Sequence, residues 1–195
     1  MNIIERVKNI LITPKTEWDV INGEIATPQS LLIGYVFPLA LIAVAGTLLS
    51  GLLFAGGVGL KFFIITALIA FIASVIAYYV SVIIIDLLAP SFGSEKNMGK
   101  SAQLVAYSGT PSYVAGLLSF IPILGMILLI AAWVYGIYLM YLGIGPLKKT
   151  PEDKKIVYMI VGFLIIIVLY FILVAILTAV LFAALGMTVG GGLFG

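Results

Sequence analysis

Charged residues divide the chain into long uncharged stretches. Residues 25–60, 62–85, 101–147 and 156–195 contain no Asp, Glu, Lys or Arg. A helix that crosses the hydrocarbon core needs about 20 apolar residues. The second stretch holds one such helix and the third holds two. The first and last hold one each, with a glycine-rich loop or tail. The pattern predicts spans over 31–54, 62–86, 103–120, 123–144 and 156–184. Only Phe120-Ile121-Pro122 joins spans three and four, so they form a tight antiparallel hairpin or a re-entrant one that does not cross.

The segment before span one has a different period. Ile3, Ile4, Val7, Ile10 and Leu11 follow helical spacing, with Glu5, Arg6, Lys8 and Asn9 elsewhere on the wheel. Residues 2–12 therefore read as an amphipathic helix lying in the membrane interface. Pro14 ends it. Thr16, with Asp19 three residues on, is expected to cap a second short helix. That helix carries Trp18 to headgroup level as an interfacial anchor. Thr27-Pro28 reads as the N-cap and first-turn proline of span one. Seven charges precede the first apolar run, so no cleavable signal peptide is expected.

Composition makes the class secure. The chain has 195 residues, 63% hydrophobic and 9% charged, with mean hydropathy +1.28. Soluble domains run at about 45–50% apolar and about 25% charged. The expected fold is an all-α integral membrane protein: five transmembrane helices in a bundle, preceded by a short interfacial amphipathic helix. Its parts are a cytoplasmic interfacial segment over 1–28, a membrane domain over 29–185 and a flexible glycine-rich tail over 186–195.

Lys and Arg set the orientation. Arg6, Lys8, Lys15, Lys96, Lys100, Lys148, Lys149, Lys154 and Lys155 fall on one side and Lys61 alone on the other. The N-terminus is expected in the cytoplasm and the C-terminus outside. There is no His and no Cys. That excludes His-based metal sites, thiolate clusters and His-assisted nucleophilic catalysis, and no cofactor is expected. A net charge of +2 gives no case for nucleic acid.

Few polar residues fall within or beside the spans. Asp86 is the only acid there; it marks either an ion site facing the bundle interior or the charged end of span two. Pro111 removes a backbone donor from span three, where Thr110, Ser108 and Ser112 either satisfy the freed groups or coordinate a solute. Tyr107, Tyr135 and Tyr138 complete a candidate polar intramembrane site with Asp86, Thr110 and Pro111. Tyr135 and Tyr138 share a helix face, and Tyr141 suits the aromatic belt. Lys148, Lys149, Lys154 and Lys155 read as a lipid-facing basic loop, with Thr150 and Pro151 opening span five. Ala70, Ser74, Ala77 and Ser81 form one small-residue stripe, and Ala175, Ala179 and Ala183 another. Stripes of this kind serve packing within one chain or between two.

Ala102–Pro146 carries a resemblance. A helix with Ala-Tyr-Ser-Gly-Thr-Pro, an Ile-Pro turn, then a helix ending Tyr-Gly-Ile-Tyr-Leu-Met-Tyr-Leu-Gly resembles the Yip domain family, the Ypt/Rab-interacting-type five-span membrane proteins. Pro14-Lys15-Thr16-Glu17-Trp18 and Ser91-Phe92-Gly93 are similar to its prokaryotic branch. The resemblance implies a five-span bundle with a cytoplasmic N-terminus, in a prokaryotic inner membrane. Eukaryotic members engage Rab GTPases and carry a long polar N-terminal region. Only residues 1–30 precede span one here, so no Rab-type GTPase is expected as partner. The expected function is a non-enzymatic membrane scaffold or adaptor, with membrane lipids and a second membrane protein or copy as partners. The rival reading is a homo-oligomeric channel or transporter using Asp86, Thr110 and Tyr107, and where Asp86 points separates the two.

Overall fold

The computed structural model describes residues 2–54 and 59–184. The predicted tail over 186–195 lies outside the described residues. Among those described, every regular element is helical. The first are α1 (Ile3–Ile12), α2 (Pro14–Gly23) and α3 (Pro28–Leu31), then a π turn over Leu32–Val36 that runs into α4 (Phe37–Phe54). After α5 (Leu60–Leu88) come α6 (Met98–Ser108), α7 (Thr110–Leu117), α8 (Leu124–Lys148) and α9 (Glu152–Ala184).

Four helical stretches are long and apolar enough to cross a membrane: Pro28–Phe54, Leu60–Phe92, Leu124–Lys148 and Glu152–Ala183. The segment predicted as span three is a rod in two pieces, α6 and α7, broken at Gly109. Neither piece is long enough alone. The helices also run past the ends predicted from charge, because a charge ends an apolar stretch without ending a helix. The 33 residues of α9 rise about 50 Å, well beyond the roughly 30 Å hydrocarbon core.

Local chemistry accounts for the starts and breaks. Thr27 caps α3 as predicted, in a reciprocal capping box with Ser30. Pro38 cannot donate to the carbonyl four residues back, and just upstream Phe37 N–H bonds Leu32 O in a five-residue step. Span one therefore carries a π turn just before Pro38. Pro14 terminates α1 but also opens α2, since a first-turn proline loses no helical bond. This corrects the predicted capping by Thr16, which lies inside α2 with its hydroxyl on Thr13 O.

The core centres on α6. Ser101, Ala102, Gln103, Leu104, Ala106 and Tyr107 are all buried, enclosed by α5, α8 and α3. α7 packs against α4 and α8, and α9 against α5. The hairpin of α1 and α2 rests on α7 and α8. The apolar face of α1 is thereby covered by protein: Ile10 is buried, and Ile3, Val7 and Leu11 pack on the core while Ile4 is exposed. A smaller cluster of Ile65, Ile69 and Phe182 joins the other ends of α5 and α9.

α4 and α7 approach at backbone distance. A Cβ on Gly46 would lie 2.1 Å from Gly116 O and 2.7 Å from Leu117 O. At Gly34 a Cβ would meet nothing within 4 Å. Gly46→Ala is expected to cost about 1–3 kcal/mol, the usual cost of overpacking, and Gly34→Ala close to nothing. Thermal unfolding of the two variants in detergent checks this: a Gly46→Ala midpoint equal to that of the native chain would show that the contact is slack.

Candidate functional site

Three residues from different helices meet at the charged end of the bundle. Asp86 lies in the last turn of α5, Ser101 in the first of α6, and Lys148 is the last residue of α8. Lys148 Nζ donates to Asp86 Oδ1 at 3.0 Å, to Ser101 Oγ at 2.7 Å and to Asn97 O at 3.3 Å. Ser101 Oγ in turn donates to Asp86 Oδ1 at 3.0 Å. Lys148 is 0% exposed, Ser101 0% and Asp86 2%. All three ammonium hydrogens are used, and the carboxylate is neutralised within the protein.

This corrects the basic-loop reading. Lys148 does not face lipid, because a buried carboxylate holds its countercharge inside. Lys149 and Lys154 are exposed, Lys149 pairing with Glu95 at 2.6 Å. Lys155 pairs with Glu152 and lies over the Tyr141 ring. Thr150 likewise turns inward instead of capping α9. It accepts from Ser94 Oγ at 2.8 Å and donates to Ile144 O at 3.1 Å. Tyr158 of α9 donates to Ile85 O and stacks on Phe92. The two loops beside Asp86 are thus tied to the bundle end.

A second charged cluster sits under the α1–α2 hairpin. Arg6, 4% exposed, pairs with both Glu17 and Glu24. Its guanidinium lies 5.1 Å from the Tyr107 ring centre, a cation–π geometry. The Tyr35 ring meets Tyr107 edge-on at 4.8 Å. Trp18 is here too, 1% exposed, edge-on to Tyr107 at 6.4 Å. A Cβ on Gly143 would come within 2.8 Å of the indole. The predicted interfacial anchor is therefore a core residue: the missing Cβ at Gly143 opens a slot into which the indole packs.

The break at Pro111 is chemically closed. Proline leaves Tyr107 O without its helical donor, and Thr110 Oγ1 supplies one at 2.8 Å. Thr110 then has no hydrogen left, so Tyr35 OH donates to Thr110 Oγ1, also at 2.8 Å. Of the tyrosines in α8, Tyr135 donates to Leu11 O at 2.8 Å, while Tyr138 and Tyr141 are exposed.

The predicted polar site thus divides in two. Asp86 goes with Ser101 and Lys148; Tyr107, Thr110 and Pro111 go with Tyr35 and Arg6. No hydrogen bond or ion pair links the two groups among the described residues. Nor does any group of three or more acidic residues there suit a metal ion. Sequence reasoning missed Arg6, Glu17, Ser101 and Tyr35. Only Arg6 left a signal: it lies three residues from Ile3 and four from Ile10, flanking the apolar face of α1.

The family model described as the Yip1 domain matches residues 8–176. The chain belongs to the Yip1 domain family. No curated protein and no solved structure matches it. The matched Yip1 region takes in the whole Asp86–Ser101–Lys148 cluster and all of the second cluster except Arg6.

Removing one member of a buried ion pair strands the other at a cost of about 3–5 kcal/mol. Lys148→Met is expected to destabilise the chain by that order. The double variant Asp86→Leu/Lys148→Met should recover most of the loss. Denaturant titration in detergent reads both, and a double variant as unstable as the single one would mean that packing of the lysine stem, not charge pairing, is what matters.

Proposed function

We propose that this Yip1 domain protein is a non-enzymatic scaffold or adaptor with five spans, the α6–α7 rod being the third. It acts through helix packing and the small charged surface of residues 1–28, 89–101 and 146–155. The observation that carries this reading is the closed pairing of Asp86. A carboxylate that serves a permeating ion needs open coordination, and Lys148 and Ser101 already fill this one. The polar groups at the bundle end hold loops in place, which is what a presented surface requires.

The depth of Asp86 supports the same reading. Tyr78 OH donates to Pro28 O, so the start of span one is level with Tyr78 of α5. From Leu60 to Tyr78, α5 rises about 27 Å, close to the thickness of a hydrocarbon core. Asp86 lies about 12 Å further along, which puts it in the headgroup region. The nine-to-one distribution of basic residues supports a cytoplasmic location for that end, and the resemblance to the prokaryotic branch of the family supports a prokaryotic inner membrane.

The chain has no cysteine, so single-cysteine variants label without background. Cysteine at Lys8 or Lys154 is expected to react with an impermeant maleimide only from the cytoplasmic face, and cysteine at Lys61 only from the other. Reaction of all three from one face would overturn the orientation. Tagged protein isolated gently from its host membrane is expected to retain a stoichiometric second protein, lost on replacing Lys149 and Lys154 by Gln. Retention of that protein by the variant would remove the proposed surface.

A further inference from the structure

The two ends of the α1–α2 hairpin sit at different depths. At its open end, Lys100 Nζ donates to Asn22 O at 2.6 Å and Gln103 Nε2 to Ile21 O at 3.1 Å. Both donors stand in the first turns of α6, beside the Asp86–Ser101–Lys148 cluster. The turn of the hairpin, Ile12-Thr13-Pro14, lies far from that level. Tyr135 OH donates to Leu11 O at 2.8 Å, and Tyr135 is about 20 Å along α8 from Lys148. Asp86, the partner of Lys148, stands about 12 Å outside the level of Tyr78. Leu11 is therefore about 8 Å on the hydrocarbon side of that level. α1 also packs against α7, the deeper piece of the rod. The ten residues of α2 rise about 15 Å and carry the chain back to the bundle end.

The bonding at the turn is that of a segment without water. Thr13 Oγ1 donates to Asn9 O at 3.2 Å and Thr16 Oγ1 to Thr13 O at 3.0 Å, although both threonines are exposed. With the Tyr135 bond, three carbonyls around the turn take hydroxyl donors from the protein. Backbone at membrane depth needs such partners, because hydrocarbon offers none. Ile12, at the turn, is nevertheless 68% exposed. Val134 is exposed on α8 beside Tyr135, so the surface of the turn continues into the lipid-facing side of that helix. Lys8 and Lys15 are exposed and form no ion pair among the described residues. Lys8 lies a turn above Leu11, and the Lys15 stem is long enough to return its ammonium toward the headgroups. The exposed acids Glu5 and Asp19 lie nearer the open end.

We infer that the α1–α2 hairpin is a re-entrant wedge, its exposed turn covered by the acyl chains of the leaflet at the Asp86 end and its two lysines directed to lipid phosphates. The helix pair does not lie flat in the interface. It displaces lipid from one leaflet and leaves the other untouched. This inference does not depend on the scaffold reading.

The test uses the full chain in phosphatidylcholine vesicles. The chain has no cysteine, so single cysteines at Ile12, Val134 and Ile25 carry an environment-sensitive fluorophore without background. Ile25 is fully exposed on the 24–27 linker and serves as the shallow reference. Phosphatidylcholine brominated on its acyl chains quenches only probes within the hydrocarbon, whichever way the chain inserts. Ile12 is expected to be quenched as strongly as Val134, and about fivefold more than Ile25. Quenching at Ile12 no stronger than at Ile25 overturns the wedge. A second measurement needs no label. In lipid nanodiscs Ile12→Asp is expected to lower the thermal midpoint by about 5 °C, because an unpaired charge is costly at that depth. Ile25→Asp is expected to leave the midpoint unchanged. Equal midpoints for the two variants would place the turn in water and overturn the inference.

Discussion

A carboxylate buried at the end of a membrane bundle must be neutralised where it stands, and much of this architecture follows from that need at Asp86. Among the described residues Lys148 is the only cation bonded to it, and it arrives from a helix 62 residues further along the chain. To bring that ammonium in, α8 must run past the apolar stretch to its last residue and end there, with Lys149 in the left-handed region at φ 49°. Lys148 O then accepts from Glu95 N–H at 2.7 Å. One residue thus joins α5, α6 and α8 by its side chain and the 93–97 loop by its backbone. Removing either charge leaves the other desolvated, which makes the arrangement cooperative.

The same logic works at the α1–α2 hairpin. Arg6 is drawn inward by two carboxylates and the face of Tyr107, and the hairpin closes over the break between α6 and α7. That break is needed at this place. A straight helix through Pro111 would leave Tyr107 O unpaired, whereas the Tyr35–Thr110 relay ties span one to the rod and satisfies it. Polar residues in this protein lock elements to one another at the bundle end, while Ile65, Ile69 and Phe182 join α5 and α9 by apolar contact at the far end.

Hydropathy made the helices legible, because a membrane segment declares itself within about 20 consecutive residues. Four of the five predicted spans are helices of that kind, and Thr27 caps the first as its local motif suggests. What could not be read was pairing. Lys148 and Lys149 are identical neighbours in a basic loop, and only the position of Asp86 in space selects the first for the core. Trp18 has the composition of a headgroup anchor, and only the missing side chain at Gly143 makes it a core residue. Thr150 follows the capping pattern, yet Ser94 and Ile144 O compete for its hydroxyl and win. In each case a statistical rule for surface residues yields to a contact made over a long separation in sequence.

That distinction also bears on mechanism. For Asp86 to receive a mobile cation, Lys148 would have to withdraw, and its ammonium is covalently tethered at the end of α8. Withdrawal breaks the bonds to Ser101 and Asn97 together with the ion pair. The incoming ion would also need to recover from a single carboxylate the hydration it gave up. A tethered countercharge gives up only side-chain freedom on pairing, less than the translational freedom a free ion loses on capture. The geometry therefore favours a fixed bundle end that presents its loops over one that opens and closes on a solute.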